Sequence, residues 1–252
     1  MSMKIIQVKD YEELCQKAAQ ILLQRVKDNR RLRLGLATGG TPVGVYRNMV
    51  QDHLDHGTSY REIQTFNLDE YLGLAPDHPQ SYHAYMEEHL FRWVDLQPNK
   101  THIPDGKAAD PEAECRRYEE MIQQQGGIDL QLLGIGVNGH IGFNEPGTPF
   151  DSTTRVVQLA ESTRRANARF FSEQEEVPTH AITMGIGTIM KSREILLLAS
   201  GTSKAPVMRS MLQQEVSEQL PASVLKRHPR AQVIADQDAL SLVEEELLQR
   251  FR

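Results

Sequence analysis

Short apolar runs alternate with amphipathic stretches along the whole chain. In the first amphipathic stretch, apolar residues recur at the three- and four-residue spacing of one helix face: Tyr11, Leu14, Cys15, Ala18, Ala19, Leu22 and Val26. Runs with strand character lie at 3–8, 33–37, 63–68, 128–135, 155–159, 181–184, 195–199 and 231–235. Helical stretches lie at 11–26, 42–54, 81–93, 109–125, 161–171, 203–213 and 239–251.

This alternation predicts a single α/β domain over residues 1–252, with a mostly parallel sheet and helices on both faces. The chain has no repeat, no low-complexity tract and no linker. Sheets of this kind bind ligands beyond the carboxyl ends of their strands. We therefore expect the four loops that follow residues 37, 68, 135 and 199 to converge on one site.

The composition is that of an ordinary globular protein, with 39% apolar and 25% charged residues. The formal charge of −6 disfavours nucleic-acid binding, although a local group of amides and cations can still bind an anion. No apolar run approaches the roughly 20 residues that span a bilayer, and from its first residues we expect no signal peptide. Cys15 and Cys115 form no metal-binding or redox spacing. We expect a cytoplasmic protein with no metal, no cofactor and no nucleic-acid or membrane partner.

The first of the four loops predicts a phosphate site. It contains Thr38, Gly39, Gly40 and Thr41, and Pro42 suits the first position of the following helix. Glycines let backbone amides approach a ligand closely, and the free amides of a helix N-terminus attract anions. The alternative is a tight strand-to-helix turn in which Thr41 caps the helix.

The second loop places Asp69 and Glu70 directly after an apolar strand. A carboxylate at the mouth of a strand is well placed to act as a general base, because burial raises its pKa toward neutrality. The alternative is that Asp69 caps the next turn. The residues of this loop alone leave both interpretations open.

The third loop, 133–147, carries the most chemistry. Three of its glycines fit the dinucleotide-binding pattern G-x-G-x-x-G: Gly134, Gly136 and Gly139. That pattern needs a helix directly after the third glycine, and the prolines and glycines of 142–149 leave no room for one. We interpret the loop as presenting His140 with Glu145 to orient it, an acid/base pair. The alternative is a structural histidine in a turn.

The fourth loop places Lys204 at the start of a predicted helix. A cation there opposes the helix dipole, which favours acidic groups at that end. An anionic ligand that shares the helix terminus would remove the conflict. The alternative is an ordinary solvated lysine.

Three motifs follow one another in order: Thr-Gly-Gly-Thr-Pro at 38–42, Phe-Asn-Leu-Asp-Glu-Tyr at 66–71 and Asn-Gly-His-Ile-Gly-Phe-Asn-Glu-Pro at 138–146. Each is weak alone, but the ordered set resembles the glucosamine-6-phosphate deaminases along the whole chain. The resemblance implies a Rossmann-like fold and a hydrolase of amino-sugar catabolism that needs no catalytic metal. Members convert glucosamine-6-phosphate and water to fructose-6-phosphate and ammonia. Galactosamine-6-phosphate remains an alternative substrate.

The resemblance also implies roles for individual residues. Asp69 matches the base that moves a proton between sugar carbons 2 and 1. His140 matches the residue that opens the pyranose ring, with Glu145 holding its tautomer and orientation. The substrate's phosphate would bind the 38–41 loop, with Arg169 and Lys204 as its cations.

Asn138 departs from the family pattern, because many members have Asp-Gly-His where this chain has Asn-Gly-His. Asparagine cannot take up a proton, so we expect Asn138 to orient catalytic groups by hydrogen bonds, with activity retained. Two rival classes share the fold. 6-Phosphogluconolactonases resemble Asp-Gly-His-Thr-Ala-Ser-Leu-Phe at this turn and need no carbon-proton base. Sugar-phosphate-sensing regulators usually carry an N-terminal helix-turn-helix, whereas this chain begins with a predicted strand.

Some family members are hexamers activated by N-acetylglucosamine-6-phosphate, bound between subunits on a segment that resembles 148–158. Their strand reads Arg-Ile-Lys-Thr, and its lysine contacts the effector's phosphate. Here the residues are Arg155-Val-Val-Gln158, so Val157 stands at the position of that lysine. Losing one charge-assisted contact weakens binding by about tenfold or more. We therefore expect hyperbolic kinetics, and we favour a monomer over a homo-oligomer.

Overall fold

The computed structural model describes residues 3–161, 164–165, 171 and 177–251. The strands are β1 (Lys4–Val8), β2 (Arg33–Leu36), β3 (Gln64–Asn67), β4 (Asp69–Tyr71), β5 (Thr101–His102), β6 (Leu130–Gly134), β7 (Arg155–Gln158), β8 (His180–Thr183), β9 (Glu194–Ala199) and β10 (Ala231–Asp236). The helices are α1 (Tyr11–Asp28), α2 (Val43–His56), α3 (Tyr82–His89), α4 (Pro111–Gln124), α5 (Ile186–Met190), α6 (Ala205–Gln213) and α7 (Glu245–Gln249). Within these residues, no helix has both the length and the apolar character needed to cross a membrane.

Seven strands form one parallel sheet in the order β1-β10-β9-β6-β2-β3-β5. Successive side chains of a strand face opposite sides of a sheet. In the interior strand β9, Leu196 and Leu198 pack with residues of α1 and α2, while Ile195 and Leu197 pack with residues of α4 and α6. The prediction of a mostly parallel sheet with helices on both faces is confirmed.

The other three strands form a separate antiparallel sheet in the order β4-β8-β7. The predicted strands 155–159 and 181–184 exist as β7 and β8, but neither joins the parallel sheet. Strands inside a parallel sheet are buried on both faces, whereas every residue of β7 is partly or fully exposed. Hydrophobic periodicity therefore locates these strands correctly but does not identify their pairing partners.

Two predicted helices differ from the structure, and a third falls mostly outside the described residues. The predicted helix 239–251 is wrong over its first half, because Asp236 accepts a hydrogen bond from the Ala239 amide and holds a turn there. The predicted helix 81–93 ends earlier, and Phe91–Trp93 forms a separate 3-10 turn. The helix that the structure leaves mostly undescribed is the one predicted at 161–171.

Candidate active site

A cleft of about 310 Å³ lies beyond the carboxyl ends of β2, β3, β6 and β9. It is lined by the four loops whose convergence the sequence predicts. The predicted site residues that line it are Thr38, Gly39, Gly40, Thr41, Asp69, Asn138, His140 and Lys204. Glu145 lies behind the cleft wall in contact with Asn138. Arg169 lies outside the described residues.

The loop between β2 and α2 presents free amides to this cleft. Helix α2 begins at Val43, and its N-cap Pro42 makes no side-chain capping bond, so the alternative that Thr41 caps the helix is wrong. No described residue accepts a hydrogen bond from the backbone amides of residues 38–41. Gly39 has a φ of 99°, a conformation that side chains disfavour. Unpaired amides beside a helix N-terminus form a site suited to a phosphate group.

Lys204 approaches the same cleft from the loop after β9. It ends the 3-10 turn Thr202–Lys204 and precedes α6. The side chain is half-buried, and burial lowers the pKa of its ammonium group. No carboxylate within the described chain pairs with this ammonium group. A cation held away from water without a counter-ion favours an anionic ligand.

Asp69 is the first residue of β4 and is buried beneath the cleft. It pairs with Thr183 in the antiparallel sheet. Gly142 lies next to it, since a Cβ on that glycine would sit 3.5 Å from Asp69 Oδ2. Burial, assisted by the negative charge of Glu70, raises the pKa of Asp69 to about 8. A carboxyl with this pKa exchanges a proton near neutral pH, as a general base requires.

Glu70 supports the site in a way that the sequence does not predict. Its carboxylate is buried and accepts hydrogen bonds from the backbone amides of Tyr71, Tyr82 and His83 at 2.8–3.1 Å. It also lies 2.9 Å from His83 Nδ1. Together with Ser81, which accepts from Ala84 N, it fixes the N-terminus of α3. The only sequence signal for this role is its position beside Asp69.

His140, Asn138 and Glu145 form a hydrogen-bonded chain. Asn138 Oδ1 lies 2.7 Å from His140 Nδ1, and Asn138 Nδ2 donates to Glu145 Oε2 at 2.6 Å. Glu145 Oε2 is itself 3.6 Å from His140 Nδ1, so Asn138 bridges two side chains that are within ion-pair distance of each other. Because a carboxylate only accepts, the Asn138 amide group faces Glu145 and its oxygen faces the imidazole. Nδ1 therefore carries the hydrogen, which leaves Nε2 as the basic nitrogen.

Glycines shape the loop around this chain of hydrogen bonds. Gly136 N donates to His140 O at 2.9 Å, and a Cβ on Gly136 would lie within 2.4 Å of the imidazole ring. Gly139, at a φ of 86°, closes the turn by donating to Gly136 O. No helix lies between Gly139 and β7, which agrees with the exclusion of a dinucleotide-binding motif. The described residues also contain no group of histidine, cysteine and carboxylate side chains arranged to hold a metal ion.

Comparisons with known proteins agree with this geometry. The family described as glucosamine-6-phosphate isomerases/6-phosphogluconolactonase matches residues 9–234. A glucosamine-6-phosphate deaminase of Geobacillus sp. (strain WCH70) is 60% identical over 244 residues, which are 97% of this chain and 97% of that protein. Glucosamine-6-phosphate deaminase 1 of Bacillus subtilis (strain 168) is 51% identical over 240 residues, 95% of this chain and 99% of that protein.

Solved structures give the same result. The structure of a monomeric glucosamine-6-phosphate deaminase, 51% identical, superposes with a TM-score of 0.93 and covers 95% of this chain and 100% of its own. A 6-phosphogluconolactonase from Trypanosoma cruzi superposes with a TM-score of 0.79 over 96% of this chain and 98% of its own. At 21% identity, that second likeness concerns the fold alone. The resemblance drawn from the three motifs is confirmed, and the chain belongs to the glucosamine-6-phosphate isomerase/6-phosphogluconolactonase family.

Proposed function

We propose that this chain is a glucosamine-6-phosphate deaminase, which converts glucosamine-6-phosphate and water to fructose-6-phosphate and ammonia. The observation that carries the proposal is a single cleft in which free amides, a buried carboxyl and a histidine converge. Relatives of 60% and 51% identity that bear this name support the same activity. The reaction needs an anion site, a ring-opening base and a carbon-proton base, and the cleft offers one group for each.

The phosphate of the substrate binds at the 38–41 loop. Its oxygens accept hydrogen bonds from the free amides at the start of α2, and the Lys204 ammonium neutralises part of its charge. Bound phosphate also stabilises the charged form of the half-buried Lys204. The predicted second cation, Arg169, stays a prediction.

His140 opens the sugar ring. Its basic Nε2 takes the proton of the carbon-1 hydroxyl while the bond from carbon 1 to the ring oxygen breaks, and the ring oxygen receives a proton in return. Asn138 keeps the hydrogen on Nδ1, and Glu145 places a negative charge behind Asn138 that stabilises the protonated imidazole. An aspartate at 138 would place a negative charge of its own in direct contact with the imidazole ring. Here residue 138 is neutral, and the charge comes from Glu145 Oε2, which lies 3.6 Å from His140 Nδ1.

Asp69 isomerises the open-chain sugar. The carbon-1 aldehyde acidifies the proton on carbon 2, and the deprotonated Asp69 carboxylate removes it. A proton of the substrate's own ammonium group passes to the carbon-1 oxygen, which gives an enolamine. The same carboxyl returns the proton to carbon 1, which leaves an iminium group at carbon 2. Water adds to carbon 2, and ammonia then leaves to give the ketone. A pKa of about 8 suits both steps, because the group must accept and then release one proton.

The direct test uses the purified chain with glucosamine-6-phosphate. Ammonia and fructose-6-phosphate should appear in equal amounts, each measured by its own coupled assay. A parallel reaction with galactosamine-6-phosphate decides the preferred sugar. If neither amino sugar yields ammonia while 6-phosphogluconolactone is hydrolysed, the lactonase alternative replaces this proposal.

We also propose that the enzyme is a monomer without allosteric activation. Val157 offers no charge to an effector's phosphate, and Arg155 is already engaged inside the chain. Its guanidinium donates to Asn144 Oδ1 at 2.9 Å and contacts Thr148 Oγ1 at 3.4 Å. The solved deaminase of 51% identity is itself described as monomeric, which supports the proposal. Light scattering on the purified chain measures its mass in solution and so tests the monomer. A sigmoid substrate-saturation curve that N-acetylglucosamine-6-phosphate makes hyperbolic would contradict the absence of allosteric activation.

A further inference from the structure

Three tyrosine hydroxyls, each from a different helix, contact the carbonyl oxygens of the loop between β2 and α2. The contacts are Tyr46 Oη to Ala37 O at 2.5 Å, Tyr85 Oη to Gly39 O at 2.6 Å, and Tyr11 Oη to Gly40 O at 3.2 Å and to Thr41 O at 3.0 Å. Every peptide carbonyl from residue 37 to 41 except that of Thr38 is thus bound by a tyrosine. We call these three residues the tyrosine clamp.

The clamp has a geometric consequence for the amides. In a trans peptide the carbonyl and the following N–H point in opposite directions. Fixing the carbonyls of residues 37, 39 and 40 therefore directs the N–H groups of residues 38, 40 and 41 away from the tyrosines. Those three residues line the cleft, and no described residue accepts from their amides. The clamp sets the direction of the donors that an anion meets.

The hydroxyls act as donors throughout the neutral pH range. Burial raises the pKa of Tyr46 and of Tyr85 well above the ordinary value, and it raises the pKa of Tyr11 as well. A carbonyl cannot donate, so each of these contacts requires the protonated hydroxyl. At neutral pH the three hydroxyls therefore keep the protons that these contacts require.

Tyr85 is the most informative member of the clamp. It makes one short bond to one carbonyl, whereas Tyr11 divides its proton between two and also accepts from Gly44 N at 3.1 Å. The peptide that Tyr85 holds joins Gly39 to Gly40, the pair with the least steric resistance to rotation. Without the hydroxyl, nothing else in the described chain bonds to the Gly39 carbonyl.

Tyr85 also connects the loop to the catalytic base. It lies on α3, which carries Tyr82 into the cleft wall. The N-terminus of α3 is held by Glu70, the residue next to Asp69. One helix thus braces the anion-binding loop and the strand that bears the carboxyl, which fixes the spacing between the two ends of the cleft.

We propose that Tyr85 is a positioning residue of the anion site: its hydroxyl holds the Gly39 carbonyl so that the Gly40 amide faces the phosphate of the substrate. The proposal rests on the proposed function for the identity of that substrate. The chemistry that it assigns is recognition of a phosphate group by a preset peptide, and it does not involve the proton-transfer steps.

The test compares Tyr85→Phe with Tyr60→Phe. Tyr60 is a matched control, because it is buried and, among the described residues, its hydroxyl makes only a long contact of 3.4 Å to Met49 O, away from the loop. We expect Tyr85→Phe to raise KM for glucosamine-6-phosphate and the dissociation constant of inorganic phosphate roughly tenfold each. kcat at saturation should stay within about threefold, since the reacting groups are untouched. Tyr60→Phe should change neither constant.

Calorimetry with inorganic phosphate needs no turnover, so the two proposals fail separately. If the wild-type chain binds phosphate but releases no ammonia, the proposed function is wrong and the comparison of variants still stands. If Tyr85→Phe binds phosphate as tightly as the wild type, or loses kcat at an unchanged KM, the positioning role is wrong. Should Tyr85→Phe fail to fold, the partly exposed Tyr11→Phe provides the second variant and must raise the same two constants.

Discussion

Replacing Asp69 with asparagine should make the protein more stable and nearly inactive. The pKa of this carboxyl rises from 3.8 to about 8 on folding, because burial and the charge of Glu70 both oppose its ionised form. Between these two values the folded chain binds more protons than the unfolded chain. Stability conferred by this site is therefore lost as the pH rises through that window.

The size of the effect follows from the two pKa values. At pH 7 the unfolded carboxyl is ionised whereas the folded one is mostly protonated, and this proton uptake on folding lowers the free energy of unfolding by at most roughly 4 kcal/mol. At pH 4 the same penalty is only about 0.5 kcal/mol. Relaxation around the charge reduces the upper figure, so we expect Asp69→Asn to gain about 2–4 kcal/mol at pH 7. The gain should shrink steadily toward pH 4.

Urea unfolding at pH 5, 6, 7 and 8, followed by circular dichroism, measures this gain directly. Asp129→Asn is the control, because folding lowers the pKa of Asp129 whereas it raises that of Asp69. Burial alone would raise the pKa of Asp129, but hydrogen bonds from Arg33 at 2.7 and 2.9 Å lower it. That variant should lose stability at neutral pH. A difference between Asp69→Asn and the wild type that does not vary with pH would refute the raised pKa.

Activity gives the second measurement on the same variant. A positioned base contributes about 10²–10⁴ to a rate, so kcat of Asp69→Asn should fall by that factor with substrate binding nearly intact. In the wild type, kcat/KM should rise with pH as Asp69 loses its proton, with a midpoint near 8. Near-normal turnover in Asp69→Asn would remove Asp69 from the mechanism.

Three further outcomes are expected. Glu145→Gln removes the charge beside Asn138, and kcat should fall by roughly tenfold or more with calorimetric phosphate binding unchanged, because only the orientation and charge balance of His140, the proposed ring-opening residue, are disturbed. Lys204→Met should raise KM by about 10- to 150-fold at a similar kcat, since a charge-assisted contact is worth about 1.5–3 kcal/mol; unchanged phosphate affinity would move the anion site elsewhere. Gly136→Ala forces the His140 ring aside, and a displacement of about 1 Å should cost roughly 10²-fold in kcat, with a crystal structure of the variant showing whether the ring has moved.

The local sequence determined the order of the main elements and the place of the site. Short apolar runs bounded by glycine or polar residues predict buried strands from the local sequence alone. Such runs lie at 33–37, 63–68, 128–135 and 195–199. Alternation with helices makes such strands parallel, and parallel strands collect their carboxyl-end loops at one edge of the sheet. The convergence of four distant loops on one cleft thus follows from pattern and topology alone.

Tertiary structure alone decided how the chemistry is arranged within that cleft. β4 consists of Asp69–Tyr71, a polar segment of three residues that forms a strand only because β8 pairs with it. The same pairing buries Asp69 and thereby raises its pKa. Likewise, the placement of Asn138 between His140 and Glu145 depends on side-chain distances that no spacing in the sequence specifies.

The tyrosine clamp shows why hydrogen bonds between elements cannot be predicted from the sequence. In the sequence, the three tyrosines of the clamp look like ordinary residues of amphipathic helices. Their hydroxyls contact one loop only because α1, α2 and α3 pack beside it. Periodicity reports which face of an element is buried, because burial depends on the element's own side chains. Hydrogen bonds between elements depend on the relative position of two surfaces, and that information exists only in the folded chain.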